Sequence, residues 1–146
     1  MLDNIGGIKQ AWYCFVNELS SCAVTKKGIT VNFKMNRNWI EFNASLGNID
    51  ISVSETETNG DSLFAIDGKI RCPRLKFENL REMMIFNKKR ILVKYETING
   101  DILVVGDADN PIKATHKILN PSQPSGYSGV EYSLSGVMTH EELPLL

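Results

Sequence analysis

The sequence has little that a membrane protein or an exported protein requires. Its longest apolar run near the N-terminus, residues 11–16, has six residues, whereas a helix that crosses a bilayer needs about 20. The first ten residues also lack the basic region and the apolar core of a secretory signal. We therefore expect a protein that is made in a cytosol and has no membrane partner.

Cysteine and histidine, the usual ligands of transition metals, are also scarce. The three cysteines, Cys14, Cys22 and Cys72, are odd in number and have no CxxC spacing. This favours reduced, partly buried thiols over a disulfide framework or a zinc site. The two histidines, His116 and His140, have neither HxH nor HxxxH spacing. We interpret both as surface polar residues that lie outside any common site.

Signatures of catalysis are missing as well. The sequence contains no GxSxG elbow, no GxxxxGK[ST] phosphate loop and no GxGxxG dinucleotide motif. Residues 107–110 resemble half of a calcium loop without its glycine and distal glutamate, so we interpret them as a plain turn before Pro111. The sequence thus predicts a non-enzymatic protein with no catalytic residue, no cofactor and no metal site.

What is present is typical of one soluble globular domain. The chain has 146 residues, of which 42% are hydrophobic and 23% charged, and its net charge is −1. A chain of this size buries roughly two-thirds of the surface of its unfolded state, which is enough for a core without disulfides. We therefore expect a single domain over residues 1–146.

Short β-rich segments dominate the chain and indicate a mainly β fold, an antiparallel β-sandwich or a partly closed barrel. Loops are predicted at 54–61 and 120–129. Asp67-Gly68 fits either a tight hairpin or a bulge in one long strand. The predicted strands are 8–16, 29–33, 39–42, 49–53, 63–66, 70–75, 91–97, 102–105, 112–117 and 130–138.

One segment departs from the β pattern. Phe77, Leu80 and Met84 have helical spacing, and Asn79 is a candidate N-cap. We therefore predict one flanking α-helix near residues 79–87.

The clearest hairpin surrounds Asn99-Gly100, a dipeptide that tolerates the positive φ angles of a type I′ turn. A two-residue turn here pairs Ile98 with Asp101 and Tyr95 with Val104. This register is expected because it gathers apolar residues on one face.

The charges are divided along the chain. Residues 69–94 contain nine Lys/Arg and two Glu, a net of +7, and residues 41–61 contain five Asp/Glu and no Lys/Arg, a net of −5. A free nucleic-acid binder normally has a basic excess over the whole domain, which this chain lacks. Opposed patches suit contacts between identical copies, although two solvated faces without a partner remain an alternative.

We predict an assembly interface from these charges. The acidic side is formed by Asp50, Glu55, Glu57 and Asp61. On a neighbouring copy it is expected to meet part of a basic set formed by Lys69, Arg71, Arg74, Lys88, Lys89 and Arg90.

Four sequence motifs occur along this chain in the same order as in one protein family. They are GGIK at 6–9, ETNGDSLFAIDGKIRCPRLKF before the predicted helix, ENLREMMIFNKKRILVKYETINGDILVVG, and GYSGVEYSLSGVMTHE. This order, which covers most of the chain from Gly6 to Glu141, resembles small virion structural proteins of phages and prophages of Bacteroides-like bacteria. The proteins of this family look like tail-tube or related tail components.

The resemblance implies a tail-tube-like β-sandwich or partly closed barrel with a flanking helix, which assembles into rings that stack. It implies other virion tail proteins as partners, DNA that passes through the assembly without sequence-specific contacts, production in the bacterial host cytoplasm and a final location in the virion. Edge strands that endanger a free monomer would be paired between neighbours in such a ring.

A different class of function remains open. An isolated β-sandwich module could recognise a small ligand or a carbohydrate through its loops, with Trp12, Trp39 and Tyr127 as stacking residues.

Overall fold

The computed structural model describes residues 7–42, 44, 47–73, 89–119 and 129–146. In these ranges the fold is mainly β with antiparallel strand pairing, as predicted, and no sheet closes into a barrel. The predicted helix near 79–87 lies outside the described residues. The strands are β1 (Ile8–Phe15), β2 (Leu19–Thr25), β3 (Gly28–Phe33), β4 (Ile40–Glu41), β5 (Ile49–Thr58), β6 (Asp61–Pro73), β7 (Ile91–Thr97), β8 (Ile102–Val105), β9 (Lys113–Leu119), β10 (Gly129–Met138) and β11 (Leu143–Pro144).

Two large sheets and one hairpin make up the described fold. The strand order is β5-β6-β10-β9 in the four-stranded sheet and β11-β8-β7-β1-β4 in the five-stranded sheet, and β2 pairs with β3. The core lies between the two large sheets, because alternate residues of each strand point toward the other sheet. Aromatic rings connect the two sheets through this core. The centre of the Phe42 ring lies 4.8 Å from the centre of the Tyr13 ring and 5.5 Å from that of Tyr132.

A second buried group lies apart from the main core. Cys14 and Leu92 are paired across β1 and β7, alternate with core residues along their strands, and are fully buried, as is Ile29 of β3. Burial raises the pKa of the Cys14 thiol to about 12, and the nearby Cys22 of β2 adds to the rise. The β2–β3 hairpin therefore covers part of the outer face of the five-stranded sheet as a third layer.

The hairpin around Asn99-Gly100 has a different register from the predicted one. Thr97 N donates to Asp101 O, and Tyr95 pairs with Leu103. The predicted two-residue turn is therefore wrong by one residue, and the loop has three residues. The observed register places Leu103 and Val105 on the core side beside Tyr95, whereas Ile102 is exposed.

The first predicted loop is also wrong. Residues 54–58 continue β5, and the chain turns only at Asn59-Gly60, between the paired residues Thr58 and Asp61. Strand β6 then runs without interruption through Asp67-Gly68, in regular register with both neighbours. Neither a tight hairpin nor a bulge occurs there. Two further strands, β2 and β11, were not predicted.

Candidate assembly interface

The outer strands of the four-stranded sheet carry opposite charge. Strand β5 has ten residues with three carboxylates, Asp50, Glu55 and Glu57, and no basic residue. Strand β9 has seven residues with two lysines, Lys113 and Lys117, and no acidic residue. No described strand pairs with the outer side of either one. An outer strand with unpaired backbone groups is a template for pairing with another chain.

Charged residues of adjacent strands form one row across the polar face of this sheet. Arg71 of β6, Glu131 of β10 and Lys117 of β9 are directly opposite each other in register. The Arg71 Nε atom lies 3.0 Å from Glu131 Oε2. Lys117 forms no ion pair with any described residue. Among the residues that the structure describes, this lysine at the β9 edge therefore has no carboxylate partner.

The structure brings together three residues of the predicted interface. Asp50 is opposite Lys69 in the β5–β6 register, and Arg71 lies two residues farther along the same face. Asp50 and Lys69 line a shallow depression with Asp67. Acidic and basic residues of the predicted set are thus neighbours in one copy at this point.

The other predicted interface residues lie elsewhere. Glu55, Glu57 and Asp61 are at the distal end of the β5–β6 hairpin, where they are exposed. Lys89 and Arg90 precede β7 in the other sheet, and the Lys89 Nζ atom lies 5.3 Å from the centre of the Phe15 ring. Arg74 and Lys88 lie outside the described residues.

The edge lysines of β9 lie outside the charge blocks of the sequence, so the predicted interface does not include them. The segment 112–117 was predicted as a strand, but its place at the edge depends on pairing with β10. His116 lies in this strand, on the same side as Tyr132 and Ile118. Its Nδ1 atom is buried without a hydrogen-bond partner among the described residues.

His140 is not the surface residue that was predicted. Its Nε2 atom lies 2.6 Å from Asp107 Oδ2, and the side chains are only 18% and 8% exposed. The other Asp107 oxygen accepts the backbone N–H groups of Asp109 and Asn110, which confirms the predicted turn. Burial alone would raise the pKa of Asp107, but these hydrogen bonds, that of His140 first, hold it below its usual value.

Two of the three predicted stacking residues lie together on the outer face of the five-stranded sheet. The Lys94 Nζ atom is 4.4 Å from the ring centre of Trp12 and 5.1 Å from that of Trp39. Burial lowers the pKa of Lys94. Tyr127 lies outside the described residues.

Within the described ranges, no cluster of three His, Cys, Asp or Glu residues is arranged to hold a metal ion. The same ranges contain no helix with the length and apolar character needed to cross a membrane. Comparisons with protein-family models, curated proteins and solved structures found no match to this chain.

Proposed function

We propose that this protein is a non-enzymatic structural protein that assembles into rings through the edges of its four-stranded sheet, as a phage tail-tube protein would. The opposite charge of β5 and β9 is the observation that carries the proposal. The phage tail assignment and the passage of DNA rest on the sequence resemblance. Assembly through these edges rests on the geometry.

The direction of the strands favours head-to-tail addition. Each of the three pairings from β5 to β9 is antiparallel, so the two outer strands run in opposite directions. A second copy rotated about an axis along the strands would therefore place its β5 antiparallel to the first β9. Such a heterologous interface gives a closed ring when the rotation closes.

One antiparallel register satisfies both faces of the joined sheet. If Asp50 lies opposite Lys117 of the next copy, Ile49 faces Ile118, which is 45% exposed in the single copy. The charges along the polar row then alternate in sign across the junction. Lys69 and Asp50 of one copy are followed by Lys117, Glu131 and Arg71 of the next copy. Opposite charges in adjacent strands stabilise a sheet, and like charges destabilise it.

Cysteine cross-linking tests this register. In the variant Asp50→Cys/Lys117→Cys, directly opposed residues would come within the Cα separation of a disulfide. We expect a ladder of oligomers on a non-reducing gel after mild oxidation. The single variants Asp50→Cys and Lys117→Cys are the controls, because neither offers the complementary thiol.

The native protein tests the assembly itself. Light scattering over a concentration series and electron microscopy should show oligomers of defined size that include rings. Lys117→Glu should weaken assembly, whereas Lys26→Glu, in the turn between β2 and β3, should not. A protein that stays monomeric at high concentration and gives no cross-linked ladder would contradict the proposal.

A further inference from the structure

We infer that Trp12, Trp39 and Lys94 form a binding site for a neutral saccharide on the outer face of the five-stranded sheet. This site lies on the opposite side of the sandwich from the polar face of the four-stranded sheet. It does not depend on ring assembly.

Neighbouring strands position the aromatic surface. Trp12 of β1 is opposite both Lys94 of β7 and Glu41 of β4 in register. Trp39 directly precedes β4, and its ring meets that of Phe33 edge-on at 5.7 Å. Both indoles are only partly buried, so part of each side chain is open to contact with a ligand. Aromatic side chains provide a large contact area of this kind at low entropic cost.

Polar groups surround the two indoles. The Gln10 amide donates a hydrogen bond to the Glu41 carboxylate, which holds both side chains beside Trp12. The Lys94 ammonium lies against the two rings and forms no ion pair with a described residue. The site thus combines flat apolar surface with an ammonium donor, an amide and a carboxylate acceptor. Pyranose rings present the matching pattern of apolar C–H faces and hydroxyl groups.

The local charge favours a neutral ligand. Lys94 is the cation that contacts both indoles, whereas Glu41 is beside Trp12 and Glu96 interacts electrostatically with Lys94. A polyanion such as single-stranded DNA binds through several basic residues along its backbone, and here it would meet two carboxylates. Stacking on the indoles without a large electrostatic contribution is therefore expected.

Intrinsic fluorescence tests the site directly, because the only two tryptophans of the chain are Trp12 and Trp39. The full-length protein would be titrated with neutral trisaccharides of glucose, mannose and N-acetylglucosamine, and separately with trigalacturonate and oligo(dT). We expect at least one neutral trisaccharide to change the emission and to bind in calorimetry, with little dependence on salt.

Two substitutions and one control complete the test. Trp39→Ala should weaken binding by about tenfold or more, and Trp39→Phe, which keeps an aromatic ring, by less. Val137→Ala, on the other large sheet, should bind as the parent does. Failure of every neutral saccharide, equal binding by Trp39→Ala, or binding of oligo(dT) or trigalacturonate alone would overturn the proposal.

Discussion

Two hairpins of this protein contain the same Asn-Gly dipeptide and turn in different ways. Asn59 and Gly60 both have positive φ angles, 54° and 85°, and form a two-residue loop between β5 and β6. Between β7 and β8 only Gly100 has a positive φ angle, 91°, and its N–H donates to Thr97 O, so the loop has three residues. The dipeptide alone therefore does not determine the register of a hairpin.

Burial explains the difference. Near Asn59-Gly60, residues 55–57 and 61–62 are exposed, and the paired strands reach the core only from Val53 and Phe64 onward. The turn residues therefore have no core packing next to them. Near Asn99-Gly100 the strands enter the core, and the observed register places Val105 beside Val93 on the core side. Where one face of a strand is buried, a slip of one residue would expose that face.

We expect the largest loss of stability when a charge is placed in the buried β7–β8 hairpin. Val105→Asp would put a carboxylate at a site with no exposure, and we expect the free energy of unfolding to fall by about 4 kcal/mol or more. Ser54→Asp in the exposed hairpin should change it by no more than about 0.5 kcal/mol. Urea denaturation of both variants measures the contrast, and similar losses would show that burial does not distinguish the hairpins.

The two hairpins also differ in their carboxylates. The buried hairpin, β7–β8, leads into the buried Asp107, whereas the carboxylates of the exposed hairpin, β5–β6, are all solvent-exposed. Asp107→Asn should lower the free energy of unfolding at pH 7 by about 1–3 kcal/mol, because the hydrogen bond with His140 loses its charge. The pKa of Asp107 is held below its usual 3.8 in the folded protein. Its contribution is therefore present above pH 3.8 and is lost as the pH falls toward the folded pKa.

Urea denaturation at several pH values measures this contribution. The difference between the parent and Asp107→Asn should shrink as the pH falls below 3.8, because the Asp107 carboxylate of the parent becomes protonated. A difference that grows on acidification would reverse the sign of the predicted linkage.

A smaller effect separates the first loop residues of the two turns. Asn59 has a φ angle of 54°, a conformation that costs alanine about 1 kcal/mol more than an extended or helical one. Asn59→Ala should therefore lower the free energy of unfolding by about 1 kcal/mol. Ile98→Ala, at the first position of the other loop, should cost about 0.5 kcal/mol or less, because Ile98 is exposed and has no positive φ angle.

Strands rich in apolar residues were the predictable part of this fold. Residues 91–97 and 102–105 were predicted with the observed bounds, since apolar residues fill these strands. Strand β2 was missed because its side chains are mostly exposed and its apolar residues do not alternate with polar ones. The hydrogen bond between Asp107 and His140 joins residues 33 positions apart. Likewise, β9 is an outer strand only because of its pairing, so neither feature has a local signal.

The smallest effect on stability concerns the exposed hairpin and the proposed assembly. Glu57→Gln should leave the free energy of unfolding within about 0.5 kcal/mol of the parent, because Glu57 is exposed. Assembly at low salt should nevertheless slow, since exposed charge steers association over a screening length of about 8 Å at physiological ionic strength.

Asp101→Asn, which removes an exposed carboxylate in the β7–β8 turn, is the matched control. Stopped-flow light scattering at several salt concentrations measures both, and equal rates for the two variants would mean that the acidic end of β5 does not guide assembly.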